Sequence, residues 1–243
     1  MPESDTPARI TVVIPTLNEA RVIEETVRLL RREVDEVIVV DGGSRDETAA
    51  SARNAGARVR VAVGSTRAVA LNTGAAIATG EIVYFVHADC RPPPGFAADI
   101  RRAVAGGAGA GCFRLRFDSR HWLLRLSGWC TRFDVVLVRY GDQTLFVRRD
   151  LHRGAGGFDE RLAVMEDHDI VRRLRRQAPF AIVPRPVIAS ARRYRQGGVY
   201  RTQLVAYPLL VSSYYLGIAR PRLAKLSRGL LGSAVDQSGA TNT

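Results

Sequence analysis

Lysine is nearly missing from this chain: of 36 basic residues among 243, only Lys225 is not an arginine. The net charge of +12 is therefore arginine charge. It attracts phosphates, acidic lipids and nucleic acids without choosing among them. A skew of this kind also follows from genomic base composition, so it is no nucleic-acid signature, and no specific nucleic-acid partner is expected. Cysteine is scarce as well. Cys90, Cys112 and Cys130 are odd in number and lack metal-ligand spacing. That argues against a disulfide framework and for a reducing compartment. The start, MPESDTPARI, has no basic-then-apolar leader, so a cytoplasmic location is expected. A clean membrane span of about twenty apolar residues is missing too. The uncharged run from Thr202 to Ala219 is broken by Gln203, Pro208, two serines and three tyrosines.

What is present suits one α/β domain with an extension. Hydrophobic residues make up 46% of the chain, enough for a sizeable core. ITVVI (10–14) reads as a buried strand, followed by an amphipathic helix with Val22, Ile23, Val27, Leu29 and Leu30 at helical spacing. EVIVV is a second strand, ending at Asp41. A helix follows, with Ser44 expected as its N-cap, Glu47 three residues on, and Gly56 as its stop. RVRVAVG, then TRAVALNTGAAIATG, then EIVYFV continue the strand–helix–strand alternation. This pace implies right-handed crossovers and a mostly parallel sheet flanked by helices.

Ligands of such sheets sit at the carboxyl ends of the strands. Asp41 and Asp89 both fall there, and both are also ordinary turn formers. Two carboxylates from separate segments aimed at one crevice favour a site. GGAGAGCFRLRF carries glycines 106, 107, 109 and 111, but a strand leaves them, where a dinucleotide loop would need a helix. HWLLRLSGWCTRF reads as an amphipathic helix with Trp122, Trp129 and Phe133 on one face, expected to pack in the core.

A second acidic centre lies in GGFDERLAVMEDHDIVRRLRR. A helix is expected to begin near Glu166, with Ile170, Val171 and Leu174 facing inward and arginines outside. Glu166, Asp167 and Asp169 occupy its first turn, where acids complement the helix dipole. The same placement fixes a carboxylate on a rigid element facing a cleft.

In this order, VVIPTLNEA (12–20), VDGGSRDET (40–48), ALNTGAAIATGE (70–81), HADC (87–90), GGFDE (156–160) and ED (166–167) resemble the family 2 glycosyltransferases. The resemblance runs roughly from Ile10 to Arg195 and points to small, single-domain bacterial members. It implies a Rossmann-like GT-A fold and sugar transfer from a nucleoside-diphosphate sugar, usually UDP-linked. By position, Pro15, Thr16 and Glu19 would line the nucleotide pocket and Asp41 would bond the base. Arg67 and Asn72 would lie near the nucleotide, with Gly74 permitting backbone approach. Asp89 matches the second acid of the family's metal-binding pair, implying Mn²⁺ or Mg²⁺, and Asp167 matches the catalytic base, with Glu166 beside it. The first acid of the metal pair is His87 here, a departure: either His87 joins the site, which favours Mn²⁺ over Mg²⁺, or Asp89 holds the metal mainly through the diphosphate and His87 only packs at the strand end. Arg192 and Arg193, in SARRYRQGG, are candidates for phosphate contact. Asp142, in YGDQTLF, is a candidate for the acceptor side or a turn cap.

These readings divide the chain into a flexible start (1–9), a catalytic domain (10–198), an apolar helical extension (199–226) and a disordered tail (227–243). The extension, through 199–222, is expected either at the inner face of the cell membrane, with its tyrosines and flanking arginines at the lipid interface, or packed on the domain or a dimer partner. The expected activity is inverting transfer to an acceptor hydroxyl or carboxylate, with a lipid-linked, carotenoid-like or small-molecule acceptor. The alternatives are a non-catalytic nucleotide-sugar binding protein and a nucleotidyltransferase. The latter wants a glycine- and lysine-rich phosphate loop that PTLNEARV does not supply.

Overall fold

The computed structural model describes residues 7–139, 141–218 and 220–231. The chain runs β1 (Ile10–Thr16), α1 (Ala20–Leu30), β2 (Glu36–Asp41), α2 (Thr48–Asn54), β3 (Arg58–Val61), α3 (Arg67–Ile77) and β4 (Ile82–Phe85). It continues as β5 (Cys90–Arg91), α4 (Phe96–Ala105), β6 (Ala110–Phe117), α5 (Trp122–Cys130), β7 (Leu145–Arg148), α6 (Arg149–Gly154), α7 (Glu166–Leu174) and β8 (Phe180–Ala189). The last elements are α8 (Arg192–Gly197), a π-helical turn (Arg201–Ala206), α9 (Tyr207–Tyr215) and α10 (Arg220–Leu231).

The strands form one sheet in the order β3-β2-β1-β4-β7-β6-β8-β5. From β3 to β4 every pairing is parallel, as the alternation predicts. Beyond β4 the sheet is mixed: β7 runs antiparallel to both β4 and β6, and β5 to β8, while β6 and β8 are parallel. The strand leaving the glycines is β6, so no dinucleotide loop forms there.

Strand residues alternate between two buried layers. Ile10, Val12, Ile14, Val37, Val39 and Tyr84 meet α1 and α4 through Ile23, Val27, Leu30, Phe96 and Ile100. Val13, Ile38, Val40, Val83 and Phe85 meet α3 and α7 through Leu71, Ala75, Ile170, Val171 and Leu174. Gly74 belongs to this second layer. A Cβ there would lie 2.3 Å from Val13 Cγ1, so its missing side chain lets α3 press on the sheet. The close approach that the missing side chain permits is that of α3 to β1 and β2.

Three further expectations change. Ser44 does not cap α2; its hydroxyl goes to Asp41, and Asp46 accepts the Thr48 amide at 3.1 Å instead. Trp122, Trp129 and Phe133 are 58%, 47% and 46% exposed. The opposite face of α5, with Leu123, Leu124 and Gly128, is the buried one. The segment is apolar on both sides, and periodicity alone cannot say which side turns inward. The boundaries at the ends also move. Ala8 and Arg9 are tied down through their carbonyls, by Arg101 Nε at 2.9 Å and Ile82 N at 3.1 Å. Helix α10 continues past Ser227 to Leu231, while residues 1–6 and 232–243 lie outside the described residues. Among the described residues no helix is long and apolar enough to cross a membrane.

Candidate active site

Four segments converge at the carboxyl ends of the central strands. The first follows β4, which ends at Phe85 and not at Asp89 as the apolar run implies. Asp89 sits in a turn closed by the Cys90 amide on the His87 carbonyl (3.0 Å). Thr26 of α1 bonds the Ala88 carbonyl at 2.7 Å and fixes that turn to the domain. No group of the described chain hydrogen-bonds the Asp89 carboxylate. Burial, then the nearby acids Asp142 and Glu19, push its pKa up to about 6, against Arg193 and Arg192. His87, half-buried beside it, is pushed down to about 4 by burial and Arg67, so its imidazole is neutral at physiological pH.

The second segment is the loop before β7, carrying Asp142 in a 3₁₀ turn (Gly141–Gln143). The side chain of Arg139 is 2% exposed and acts as its internal frame. Its guanidinium donates to the Thr131 carbonyl (2.7 Å), to Gln143 Oε1 (2.8 Å) and to the Phe133 carbonyl. Its nearest carboxylate, Asp134, stands 3.9 Å away. Thr144 closes the turn with φ of 56°, unusual for a β-branched residue, and its hydroxyl pairs with buried Tyr84 OH at 2.8 Å. Gly141 lies against the catalytic candidates: a Cβ there would be 2.2 Å from Asp167 Oδ2 and 2.9 Å from His87 Nε2.

The third segment is the start of α7. Met165, at φ 68°, reverses the chain so that Glu166 and Asp167 enter the first turn. Arg67, the first residue of α3, reaches across to both. Its Nη2 lies 2.5 Å from Asp167 Oδ2, and its Nε donates to Glu166. Glu166 is buried, with Oε2 unpartnered among the described residues. Burial raises the Asp167 pKa above the usual carboxylate range; Arg67 opposes this and Glu166 reinforces it. The fourth segment brings Arg192 and Arg193 from α8, with Arg192 Nη2 2.6 Å from Glu19 Oε1. Glu19 Oε2 is buried and unpartnered among the described residues.

The other expected residues fall around this centre. Pro15 and Thr16 end β1 beside Val40 and Asp41. Asp41 is buried, and Ser44 donates to both of its oxygens, from N (3.1 Å) and from Oγ. Asn72 clamps the 156–160 loop: Nδ2 bonds the Phe158 carbonyl and Glu160, and Oδ1 takes the Phe158 amide, each at 2.9 Å. It positions the loop leading to α7. Arg139, Gln143 and Thr144 escaped the sequence reading; the Gly141-Asp142 turn signal was visible, its buried frame was not.

Residues 11–149, more than half of the chain, match Glycosyl transferase family 2. The chain belongs to this family. A curated relative is glucosyl-3-phosphoglycerate synthase of Mycobacterium tuberculosis, 38% identical over 96 residues, covering 35% of this chain and 30% of that protein. The match thus spans less than a third of the relative's length. The mannosyltransferase PcManGT from Pyrobaculum calidifontis, solved with GDP-Man and Mn²⁺, superposes with a TM-score of 0.63. The two share 21% identity over 99% of this chain and 79% of that one. Mycobacterium tuberculosis glucosyl-3-phosphoglycerate synthase with Mn²⁺, UDP and glucosyl-3-phosphoglycerate gives 0.58, at 24% identity over 83% and 79%. At such identities the likeness establishes the fold, the GT-A fold of this family.

Proposed function

We propose that the chain moves a sugar from a UDP-sugar to an acceptor hydroxyl, with inversion at the anomeric carbon. The observation that best supports this is the convergence around one crevice of a carboxylate turn, a rigid helix start and two arginine sources. Arg67, Asp142, Asp167 and Arg193 all act electrostatically on His87. Complexes of proteins with this fold that hold UDP or GDP-Man with Mn²⁺ agree with a nucleotide-sugar site.

The residues present fit a divalent cation. Asp89 is an oxygen donor with no hydrogen bond from the described chain, and burial, followed by the nearby acids Asp142 and Glu19, holds its pKa up. Among the described residues no three His, Cys, Asp or Glu side chains gather as a complete cage. That fits an ion held by one or two protein donors plus the donor's phosphates. Asp89 would hold it, with neutral His87 as a second donor favouring Mn²⁺. When bound, the ion neutralises charge on the departing diphosphate. Arg192 and Arg193 complement the same phosphates. Asp41, Pro15 and Thr16 border the base pocket.

Asp167 is the base that takes the acceptor proton, and the rise in its pKa on burial makes it a stronger base than an ordinary carboxylate. In this structure Oδ2 is held by Arg67, so acceptor binding must share or displace that contact. Glu166 keeps Arg67 anchored on its other side. Asp142, in the turn that lies against Asp167, suits a hydrogen bond to the acceptor or the sugar. The decisive experiment is Asp167→Asn. Retained UDP binding with loss of most transfer supports the reading; wild-type turnover removes Asp167 from it.

A further inference from the structure

We infer that the outer face of α5, continued by the start of the C-terminal helices, is a docking surface for an anionic lipid bilayer. Trp122, Leu126, Trp129 and Phe133 recur at helical spacing and are all exposed. Val135 extends the stripe. Trp122 Nε1 donates to Tyr200 OH at 3.2 Å, joining this face to the C-terminal segment. There Tyr200, Leu204, Val205 and Leu209 are exposed as well. Isolated exposed apolar residues need no explanation, but a contiguous aromatic and aliphatic stripe marks an interaction site.

The charges around the stripe identify its occupant. Arg120 and Arg125 are exposed beside it and have no carboxylate partner among the described residues. Arg132 lies over the Trp129 ring at 4.7 Å. The acids on this side are engaged: Asp134 accepts from Arg175 at 2.8 Å, and Asp118 takes the Ala191 amide at 2.5 Å, with Arg195 3.9 Å away. A second copy meeting this face isologously would bring the same unpaired arginines together. A nucleic acid would use the arginines and rings but leave Leu126, Leu204, Val205 and Leu209 uncovered. Anionic headgroups with acyl chains beneath satisfy all three, since tryptophan, tyrosine and arginine with aliphatic neighbours are interfacial residues. The inference is independent of the donor site, although a lipid-linked acceptor would give it a purpose.

The chain carries two tryptophans, Trp122 and Trp129, both in this stripe. Intrinsic tryptophan emission of the full chain therefore reports on this face alone. Phosphatidylcholine vesicles containing about one third phosphatidylserine should blue-shift the emission, sediment the protein and protect it from aqueous quencher. Arg120→Gln with Arg125→Gln should weaken binding by about 25-fold, at roughly fivefold per arginine near an anionic surface. Trp129→Ala should weaken sedimentation while leaving the UDP-dependent rise in unfolding midpoint unchanged. That rise also separates this test from the donor-site reading, because it shows folding and nucleotide binding without vesicles. No shift or sedimentation, equal binding to pure phosphatidylcholine, a blue shift that grows with protein concentration alone, or one produced by single-stranded DNA instead of vesicles would each overturn the inference.

Discussion

Gly141→Ala is a one-methyl probe of the catalytic geometry. Gly141 lies in a 3₁₀ turn, a backbone that alanine adopts readily, so the effect is steric. The added Cβ would lie 2.2 Å from Asp167 Oδ2, 2.8 Å from Asp167 Cγ and 2.9 Å from His87 Nε2. Ordinary contact begins near 3.4 Å, so the turn or Asp167 must move by about 1 Å. Asp167 is not free to swing, because its Oδ2 is held by Arg67 Nη2 at 2.5 Å. The framed Arg139 loop resists as well. A misplacement of about 1 Å at a reacting group costs on the order of a hundredfold in rate. The expected result is kcat for nucleoside diphosphate release lowered by about 10², with the donor KM within severalfold and stability lowered by no more than about 2 kcal/mol. Wild-type kcat in a folded Gly141→Ala protein would refute the placement of Asp167 against this turn.

Arg67→Gln removes the cation facing buried Glu166, and an uncompensated buried charge costs about 3 kcal/mol in denaturant unfolding. Adding Glu166→Gln should recover more than half of that; a single-variant loss under about 1 kcal/mol would show the pair to be unimportant. His152 packs between Phe85 and Phe158, and burial, followed by Arg173 and Arg153, lowers its pKa from 6.5 to about 4. A histidine depressed on folding contributes full stability above its unfolded pKa and loses it as pH falls from 6.5 towards 4, up to about 3 kcal/mol. His152→Leu should therefore flatten the decline of the unfolding midpoint over that window, and parallel declines in both proteins would contradict this. Gly74→Ala should destabilise by about 1–3 kcal/mol in urea unfolding, since its methyl would overlap Val13 in a packed layer, and neutrality would mean that α3 lifts freely from the sheet.

The parallel half of the fold was legible because its signals are local. β-branched runs, helical spacing and the stop at Gly56 each act within a few residues. The acids at Asp41, Asp89 and Glu166–Asp167 were legible for the same reason. Contacts between distant segments were not. Nothing near Arg67 announces that it will bridge Glu166 and Asp167, 99 and 100 residues away. Asn72 likewise spends its hydrogen bonds on the 156–160 loop, a partner fixed by tertiary packing. The antiparallel β7 enters beside β4 only after a long excursion, so the change in sheet direction had no local mark. The aromatics of α5 were misassigned because size suggested burial, while the smaller Leu123, Leu124 and Gly128 are what fit against β6. The frame around Asp142 escaped because a buried arginine satisfied mainly by carbonyls has the same sequence signature as a solvated one.

The central claim is a nucleotide-sugar donor site organised around Asp89. It is tested most directly by thermal unfolding of the chain and of Asp89→Ala with UDP, each with and without Mn²⁺. A ligand that binds only the folded state raises the midpoint by mass action. The expected result is a rise with UDP that needs Mn²⁺ and is lost in Asp89→Ala. No rise with UDP and Mn²⁺, or an equal rise in Asp89→Ala, would contradict it.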